Sequence, residues 1–215
     1  GVCEPCWEAL ETPAPVRCGV CDEPLGVAGV PGRDGGPGRC GRCALAAPPF
    51  RTLRGAAPYR GIAREILIAF KFGGADFLGP RLAAVMAERL ALPADVDEVA
   101  AVPASVRARW KNDHGAELLA ASIAARVRLP FQARRLRKVR ATARQSGLPL
   151  SERPGNVRGA FRASPAPARR VLLVDDVATS GATARECARA LRRAGAKSVD
   201  VWCFARASRD DLLLR

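Results

Sequence analysis

Apolar residues recur along this chain with two periods, and the change from one to the other outlines its elements. Gly61–Phe72 (GIAREILIAFKF) sets Ile62, Ile66, Leu67 and Phe70 on one helical face, and Gly73-Gly74 ends that helix. Phe77–Leu92 repeats the helical pattern until Pro93. Glu98–Val102 reads as a short apolar strand closed by Pro103, and Gly115–Val127 as an Ala-rich amphipathic helix. Residues 133–139 predict an irregular strand. Residues 140–170 are polar and Arg-rich, broken by Pro149, Pro154, Gly155, Pro165 and Pro167. They predict a long loop, which in a compact domain often carries function. Val171–Val174 is a continuous apolar strand, Ala182–Ala194 a helix closed by Gly195, and Val199–Phe204 a further strand. Strand, helix, strand in this order predicts parallel pairing and an α/β sheet flanked by helices.

The first 45 residues follow neither period. They hold three Cys-x-x-Cys pairs, Cys3/Cys6, Cys18/Cys21 and Cys40/Cys43, in a segment rich in Gly and Pro. That spacing turns two thiolates toward one metal, and two such pairs complete a tetrahedral zinc site. The segment has too few large apolar residues to fold on its own core, so a structural zinc would supply the stability. Cys18/Cys21 and Cys40/Cys43 read as the two knuckles of one zinc ribbon over residues 1–47. Cys3/Cys6 is then a half-site, also of metal-ligating type, and the chain opens on Gly1 rather than Met, which leaves room for a partner pair upstream. Redox chemistry of the thioredoxin type competes for any single pair, but three pairs in a row without a βαβ context argue against it. Cys187 and Cys203 stand alone on apolar stretches and read as buried small hydrophobes. Ala46–Thr52, with Pro48-Pro49, is a linker, and residues 52–215 form the main domain.

The formal charge of the 215 residues is +14, and it is unevenly spread. Residues 1–50 carry a net −2, whereas residues 101–170 hold sixteen basic side chains against three acidic. A basic domain invites a polyanion, either nucleic acid or a small molecule rich in phosphate. Arg outnumbers Lys 31 to 4, which compositional bias would also produce. No apolar run approaches the ~20 residues that cross a bilayer, and no charged n-region with an apolar h-region opens the sequence. A cytoplasmic protein without membrane insertion is expected.

The stretch VLLVDDVATSGAT, Val171–Thr183, holds the most specific chemistry. Asp175 and Asp176 fall at the carboxyl end of an apolar strand, where open α/β sheets bind ligands. Thr179, Ser180, Gly181, Ala182 and Thr183 then turn into a helix. Small residues let the backbone approach an anion, while hydroxyls and the helix-start N–H groups cradle a phosphate. The carboxylates can accept from two vicinal hydroxyls, or help to hold Mg²⁺. A diol beside a phosphate describes a ribose 5-phosphate. A receiver domain carries its paired aspartates on the first strand, and a P-loop needs Gly-x4-Gly-Lys-Ser/Thr. Neither fits here.

These thirteen residues resemble the phosphoribosyl-pyrophosphate (PRPP) signature of type I phosphoribosyltransferases. With the cysteine pairs in front, the chain resembles the ComF family of competence-associated proteins, in which a double zinc ribbon precedes that domain. The shared features are Tyr59-x-Gly61 before a helix ending Lys71-Phe72, Val102-Pro103, Ala116–Ala120, Gln145-x-x-Leu148, Arg153-x-x-Asn156-x-x-Gly159-Ala160-Phe161 and the PRPP loop. Many members carry an Arg-Gly-aromatic-Asn-Gln run where this chain has Lys111-Asn112-Asp113-His114-Gly115. The resemblance implies a type I phosphoribosyltransferase fold and transfer at C1 of the ribose with Mg²⁺, to an acceptor the residues do not name. It also implies a role in handling incoming single-stranded DNA beside the DNA-uptake machinery of transformation. The alternative is a catalytically inactive accessory protein that holds PRPP or single-stranded DNA.

By the same resemblance the loop after the Val99–Val102 strand contacts pyrophosphate, which makes Ala104, Ser105, Arg107 and Arg109 candidates. Lys138, Arg140 and Gln145 are candidates for a cover that shields the reaction from water, and Arg153 and Asn156 for pinning that loop. His114, the only histidine, reads as a surface or capping residue. Trp7 and Trp110 can stack on bases or pack under the ribbon.

Overall fold

Alternation along four strands supplies two apolar faces, and the rest of the chain is arranged to cover both. The structure is a computed structural model that describes residues 2–25, 38–104, 114–142, 152–167 and 169–208. In chain order its elements are α1 (Glu4–Glu8), α2 (Gly41–Leu45), β1 (Thr52–Pro58), α3 (Gly61–Phe72), a 3-10 turn (Asp76–Leu78), α4 (Gly79–Arg89), β2 (Glu98–Ala101) and α5 (Gly115–Val127). There follow β3 (Leu136–Lys138), α6 (Arg153–Val157), β4 (Phe161–Ala163), β5 (Arg170–Ala178), α7 (Ala182–Arg193) and β6 (Ser198–Arg206).

The main sheet has the order β1-β6-β5-β2, and every pairing in it is parallel. Leu172, Val174, Trp202 and Phe204 face one core, built with α3, α4 and α5. Val171, Leu173, Val201 and Cys203 face a second core, built with α7, the β3–β4 pair and the cysteine segment. Burial on both sides explains why β5 and β6 read as unbroken apolar runs. Cys187 and Cys203 are fully buried, as the sequence predicts. Beyond β2, Phe131 adds one parallel bridge to Val99, so the sheet continues by a single contact.

Helices α3 and α5 have the bounds that their periodicity predicts. Four regions differ from the sequence expectation. The Phe77–Leu92 helix begins with the 3-10 turn, restarts at Gly79-Pro80 and ends at Arg89. Pro fits the first helical turn, and the residue before Pro93 is disfavoured in a helix. Strand β5 continues through the acidic pair to Ala178, paired with β6 along its length. The predicted long loop at 140–170 contains α6 and β4, the latter antiparallel to β3. Strand β1 was not foreseen, since TLRGAAP is poor in β-branched residues. Its pairing with β6 makes it a strand.

The cysteine segment covers the free edge of β1. Leu53 N–H donates to Val20 O at 2.8 Å, and Arg54 Nη2 to Gly19 O at 2.7 Å. Trp7 is buried in the core with Leu10, Ile66 and Leu82, and the Arg81 guanidinium lies 5.7 Å from its ring centre. It therefore packs rather than offering a free stacking face.

Candidate functional site

Asp175 and Asp176 occupy the carboxyl end of the central strand β5 and are 8% and 7% exposed. Successive strand residues point to opposite faces. Asp176 meets α3, where Lys71 Nζ lies 2.7 Å from its Oδ2. Asp175 Oδ1 accepts the Asp176 N–H at 2.9 Å. Burial, reinforced by the neighbouring Asp176 charge and only partly offset by Lys71, pushes the Asp175 carboxyl up to about 8. A cation arriving here would favour the ionised form of this carboxyl.

Directly beyond, the chain bends through Thr179–Gly181 into α7. Gly181 sits at φ 72 and caps α7, a conformation that glycine adopts without strain. The Ala182 N–H donates to Ser180 Oγ at 3.3 Å. Thr179, Ser180, Gly181 and Thr183 are only half-buried while Ala182 is buried, so the hydroxyl-lined side of the bend remains accessible. Arg153, 5% exposed, donates from Nη1 to Thr179 Oγ1 at 3.0 Å. From behind the bend, Arg206 donates to the carbonyls of Ala178 and Thr179, and Arg42 to that of Ser180.

Ser105, Arg107 and Arg109 lie outside the described residues, as do Trp110, Lys111 and Gln145. The described ends of that segment both flank the acidic pair. Val102 N–H donates to Val174 O at 2.9 Å on leaving β2. At the return, a Cβ on Gly115 would lie 3.0 Å from Phe70 Cε1 and 3.2 Å from Asp176 Oδ2, so a side chain there would have to push the Phe70 ring or the carboxylate aside. Ala104 is half-buried at the start of the segment. His114 takes the cap position of α5 without a side-chain cap bond, its Nδ1 4.0 Å from Glu117. Lys138 donates to Thr142 Oγ1 at 2.6 Å and lies 5.8 Å from the Phe161 ring centre. Arg140 donates to the carbonyls of Asn156 and Arg158, each at 2.8 Å. Lys138 and Arg140 are thus bonded within the β3–β4 excursion, and of the loop candidates it is Arg153 whose bond to the bend is described.

A second constellation gathers four thiols. The sulfur atoms of Cys18, Cys21, Cys40 and Cys43 all lie within 4.8 Å of one another, with Cys21 and Cys40 at 3.5 Å. Tetrahedral zinc with bonds of ~2.3 Å needs sulfurs about 3.8 Å apart, so the set fits. Three of the four are buried and Cys40 is half-buried. Burial pushes the Cys43 thiol up to about 11 and Cys21 higher still. Burial acts on Cys18 too, but backbone N–H groups of Cys40, Cys21 and Val20 outweigh it and bring that thiol to about 7. A metal ion taken up here displaces the remaining protons. Cys3 and Cys6 stand apart, their sulfurs 3.3 Å from each other, Cys3 exposed and Cys6 half-buried.

Four residues around the bend were not singled out for it from sequence: Lys71, Arg42, Arg153 and Arg206. Lys71 was visible only as the end of a helix, and Arg153 only as a loop pin. Arg42 and Arg206 are ordinary members of an Arg-rich composition, and tertiary contact alone brings them to the bend.

The phosphoribosyl transferase domain family matches residues 113–213. A protein of Salmonella typhi named DNA utilization protein YhgH is 30% identical over 218 residues, covering 96% of this chain and 90% of its own. Its namesake in Escherichia coli (strain K12) matches at the same identity and coverage. Competence protein F of Haemophilus influenzae is 34% identical over 104 residues, 46% of this chain and 45% of its own. Among solved structures, a glutamine phosphoribosylpyrophosphate amidotransferase from B. subtilis, complexed with ADP and GMP, aligns with a TM-score of 0.39 and 27% identity. That alignment covers 60% of this chain, which spans 25% of the amidotransferase chain.

Proposed function

Because this chain belongs to the ComF family, and its domain has the type I phosphoribosyltransferase fold, we propose that it binds PRPP at the carboxyl end of β5. Asp175 and Asp176 accept the two ribose hydroxyls, and the N–H and hydroxyl groups of Thr179–Thr183 hold the 5-phosphate. Lys71 and the segment with Ser105, Arg107 and Arg109 face the pyrophosphate, for which guanidinium forks are suited. Mg²⁺ takes hard oxygen donors. Asp175 and Asp176 are of that type, and the ion would supply charge neutralisation of the pyrophosphate. Transfer breaks the C1–O bond, whose electron pair leaves on pyrophosphate. The acceptor forms the new bond at C1 and gives up its proton. The chain contributes positioning and electrostatics to that step.

Residues 1–47 are, in this reading, a ribbon whose structural zinc sits on Cys18, Cys21, Cys40 and Cys43, and residues 52–215 the transferase-like domain. Thiolate-bound metal suits a reducing, cytoplasmic setting. Among the described residues no helix is long and apolar enough to cross a membrane.

The observation that carries the reading is the acidic pair opening onto a half-exposed hydroxyl bend at a helix start. Calorimetry with PRPP and Mg²⁺ tests it. The wild-type chain should bind, and Asp175→Ala with Asp176→Ala should abolish binding at unchanged metal content. Unaltered affinity in the double variant would remove the assignment.

A second reading, that the protein holds single-stranded DNA without turnover, draws on the sixteen basic residues of 101–170 and on the relatives named for DNA utilization and competence. Pyrophosphate release over a panel of bases separates transfer from holding. A single-strand shift assay over a salt series tests the basic region, because counterion release makes such binding salt-sensitive.

A further inference from the structure

We infer that Arg206 is a positioning residue that locks the phosphate bend to the ribbon, so that Glu23 and Arg42 of the ribbon help to set the affinity for PRPP. This rests on the PRPP reading above and assigns the bend a control point outside the ligand's reach. Arg206 is 5% exposed and Glu23 8%. The Arg206 guanidinium donates to two regions at once. Toward the ribbon, Nε reaches Cys21 O at 3.2 Å and Nη2 reaches Glu23 Oε2 at 2.7 Å. Toward the bend, Nη1 donates to Ala178 O at 3.2 Å, to Thr179 O and to Ala207 O. Arg42 runs in parallel: its Nη1 donates to Ser180 O at 3.2 Å and its Nη2 lies 3.6 Å from the same Glu23 oxygen. Cys21 and Cys43 are metal-ligand candidates, and Arg42 is the neighbour of Cys43.

The consequence follows from the peptide plane. A trans peptide holds its C=O and N–H nearly antiparallel. The carbonyls of Ala178, Thr179 and Ser180 share their planes with the N–H groups of Thr179, Ser180 and Gly181. Cations that grip these carbonyls from the ribbon side therefore turn the N–H groups away from the ribbon and polarise them toward an anion. The Ala178 carbonyl also accepts the Ala207 N–H at 2.9 Å, so losing the grip leaves that plane and the hydroxyls in place but frees the N–H groups of Ser180 and Gly181 to rotate.

The sheet is shaped to let Arg206 through. A Cβ on Gly55 would stand 2.6 Å from Arg206 Cβ and 3.1 Å from its backbone N. The Gly55 N–H is in turn held by Asp22 Oδ2 at 2.9 Å. Asp22 sits at φ 62, directly between Cys21 and Glu23. Ribbon, sheet and bend thus meet at Gly55 and Arg206.

Coupling of this kind is reciprocal, which separates it from mere structural support. The test uses the full chain with its metal, comparing wild type with Arg42→Ala, Glu23→Gln and Arg206→Lys. Lysine keeps the charge but loses the fork. Readouts are PRPP·Mg affinity by calorimetry, metal content, and metal affinity by chelator competition with and without PRPP. The expected result is PRPP binding weakened about fivefold in Arg42→Ala and tenfold or more in the other two, within the usual range of coupling between sites. Metal content should be full in all. PRPP should tighten metal retention in wild type, and less so in the variants. Arg42 is part-exposed, so its variant keeps the test decisive should Arg206→Lys fold poorly. A wild type that binds no PRPP removes the reading and this inference together. A wild type that binds PRPP, with Arg42→Ala and Glu23→Gln unchanged in affinity and in metal retention, overturns the inference alone.

Discussion

The four-thiol cluster and the phosphate bend are counterparts of opposite sign. One gathers soft donors that suit a cation, and the other gathers N–H and hydroxyl groups that, in the proposed reading, take an anion. They differ in where their members come from. The bend is made by residues 175–183, continuous in the chain and stiffened by the strand before it and the helix after it. The cluster joins Cys18/Cys21 to Cys40/Cys43 across an intervening segment and has only short elements beside it. The bend exists because the fold exists, whereas the ribbon, in the reading proposed above, depends on an ion in order to fold. Metal loss should therefore act first on structure, and through Glu23 and Arg42 on binding, whereas loss of bend residues should act on binding with the metal retained.

The largest test of that contrast is Cys18→Ser with Cys43→Ser. Bound structural zinc is worth on the order of 10 kcal/mol, so the ribbon should melt, with metal content near zero and new protease cleavage before Thr52. Cys3→Ser with Cys6→Ser gives the internal control. Cys3 and Cys40 start their helices with almost the same backbone, φ −73, ψ 158 and φ −71, ψ 157. Yet the described residues bring no second thiol pair to Cys3 and Cys6. This variant should leave the melting temperature and the metal on the other four cysteines unchanged.

Arg153→Ala comes next and addresses the bend. Removing a charged donor from Thr179 Oγ1 costs about 1.5–3 kcal/mol, so PRPP affinity should fall at least tenfold in calorimetry while metal content holds. An equal loss of metal would dissolve the contrast.

The smallest effect is a pH dependence confined to the bend. Asp175 is raised in the folded chain, up to about 8, above its unfolded carboxylate range near 4. Its stabilising contribution is complete below the unfolded value and is lost as pH rises through the folded one. Asp175→Asn should therefore flatten the fall in melting temperature between pH 5 and pH 8. PRPP binding that requires the ionised carboxylate should strengthen several-fold between pH 7 and pH 8.5, with proton release visible as a buffer-dependent heat.

The contrast also explains what was legible in the sequence. A bend built from contiguous residues carries its own signature, and Val171–Thr183 spelled out strand, acidic pair and loop in order. Helices α3 and α5 were equally plain because their apolar stripes have one period and end at strong stop signals. The thiol spacing marked the candidate metal ligands and already paired Cys18/Cys21 with Cys40/Cys43, the four that the fold brings together. Strand β1 was missed because its Ala- and Gly-rich run takes its conformation from β6. Arg153 and Arg206 were hidden for a related reason. In a chain with 31 arginines, nothing local separates one that grips a backbone carbonyl from one that faces water. Lys71 reaches Asp176 only because the last turn of α3 ends beside the acidic pair, a tertiary placement that no local pattern announces.

The most direct measurement is a crystal structure of the chain soaked with PRPP and Mg²⁺. The expected density sets the ribose hydroxyls against Asp175 and Asp176 and the 5-phosphate against the N–H groups of Thr179–Thr183. Ligand bound elsewhere, or a bend without phosphate at saturating PRPP, would contradict the assignment.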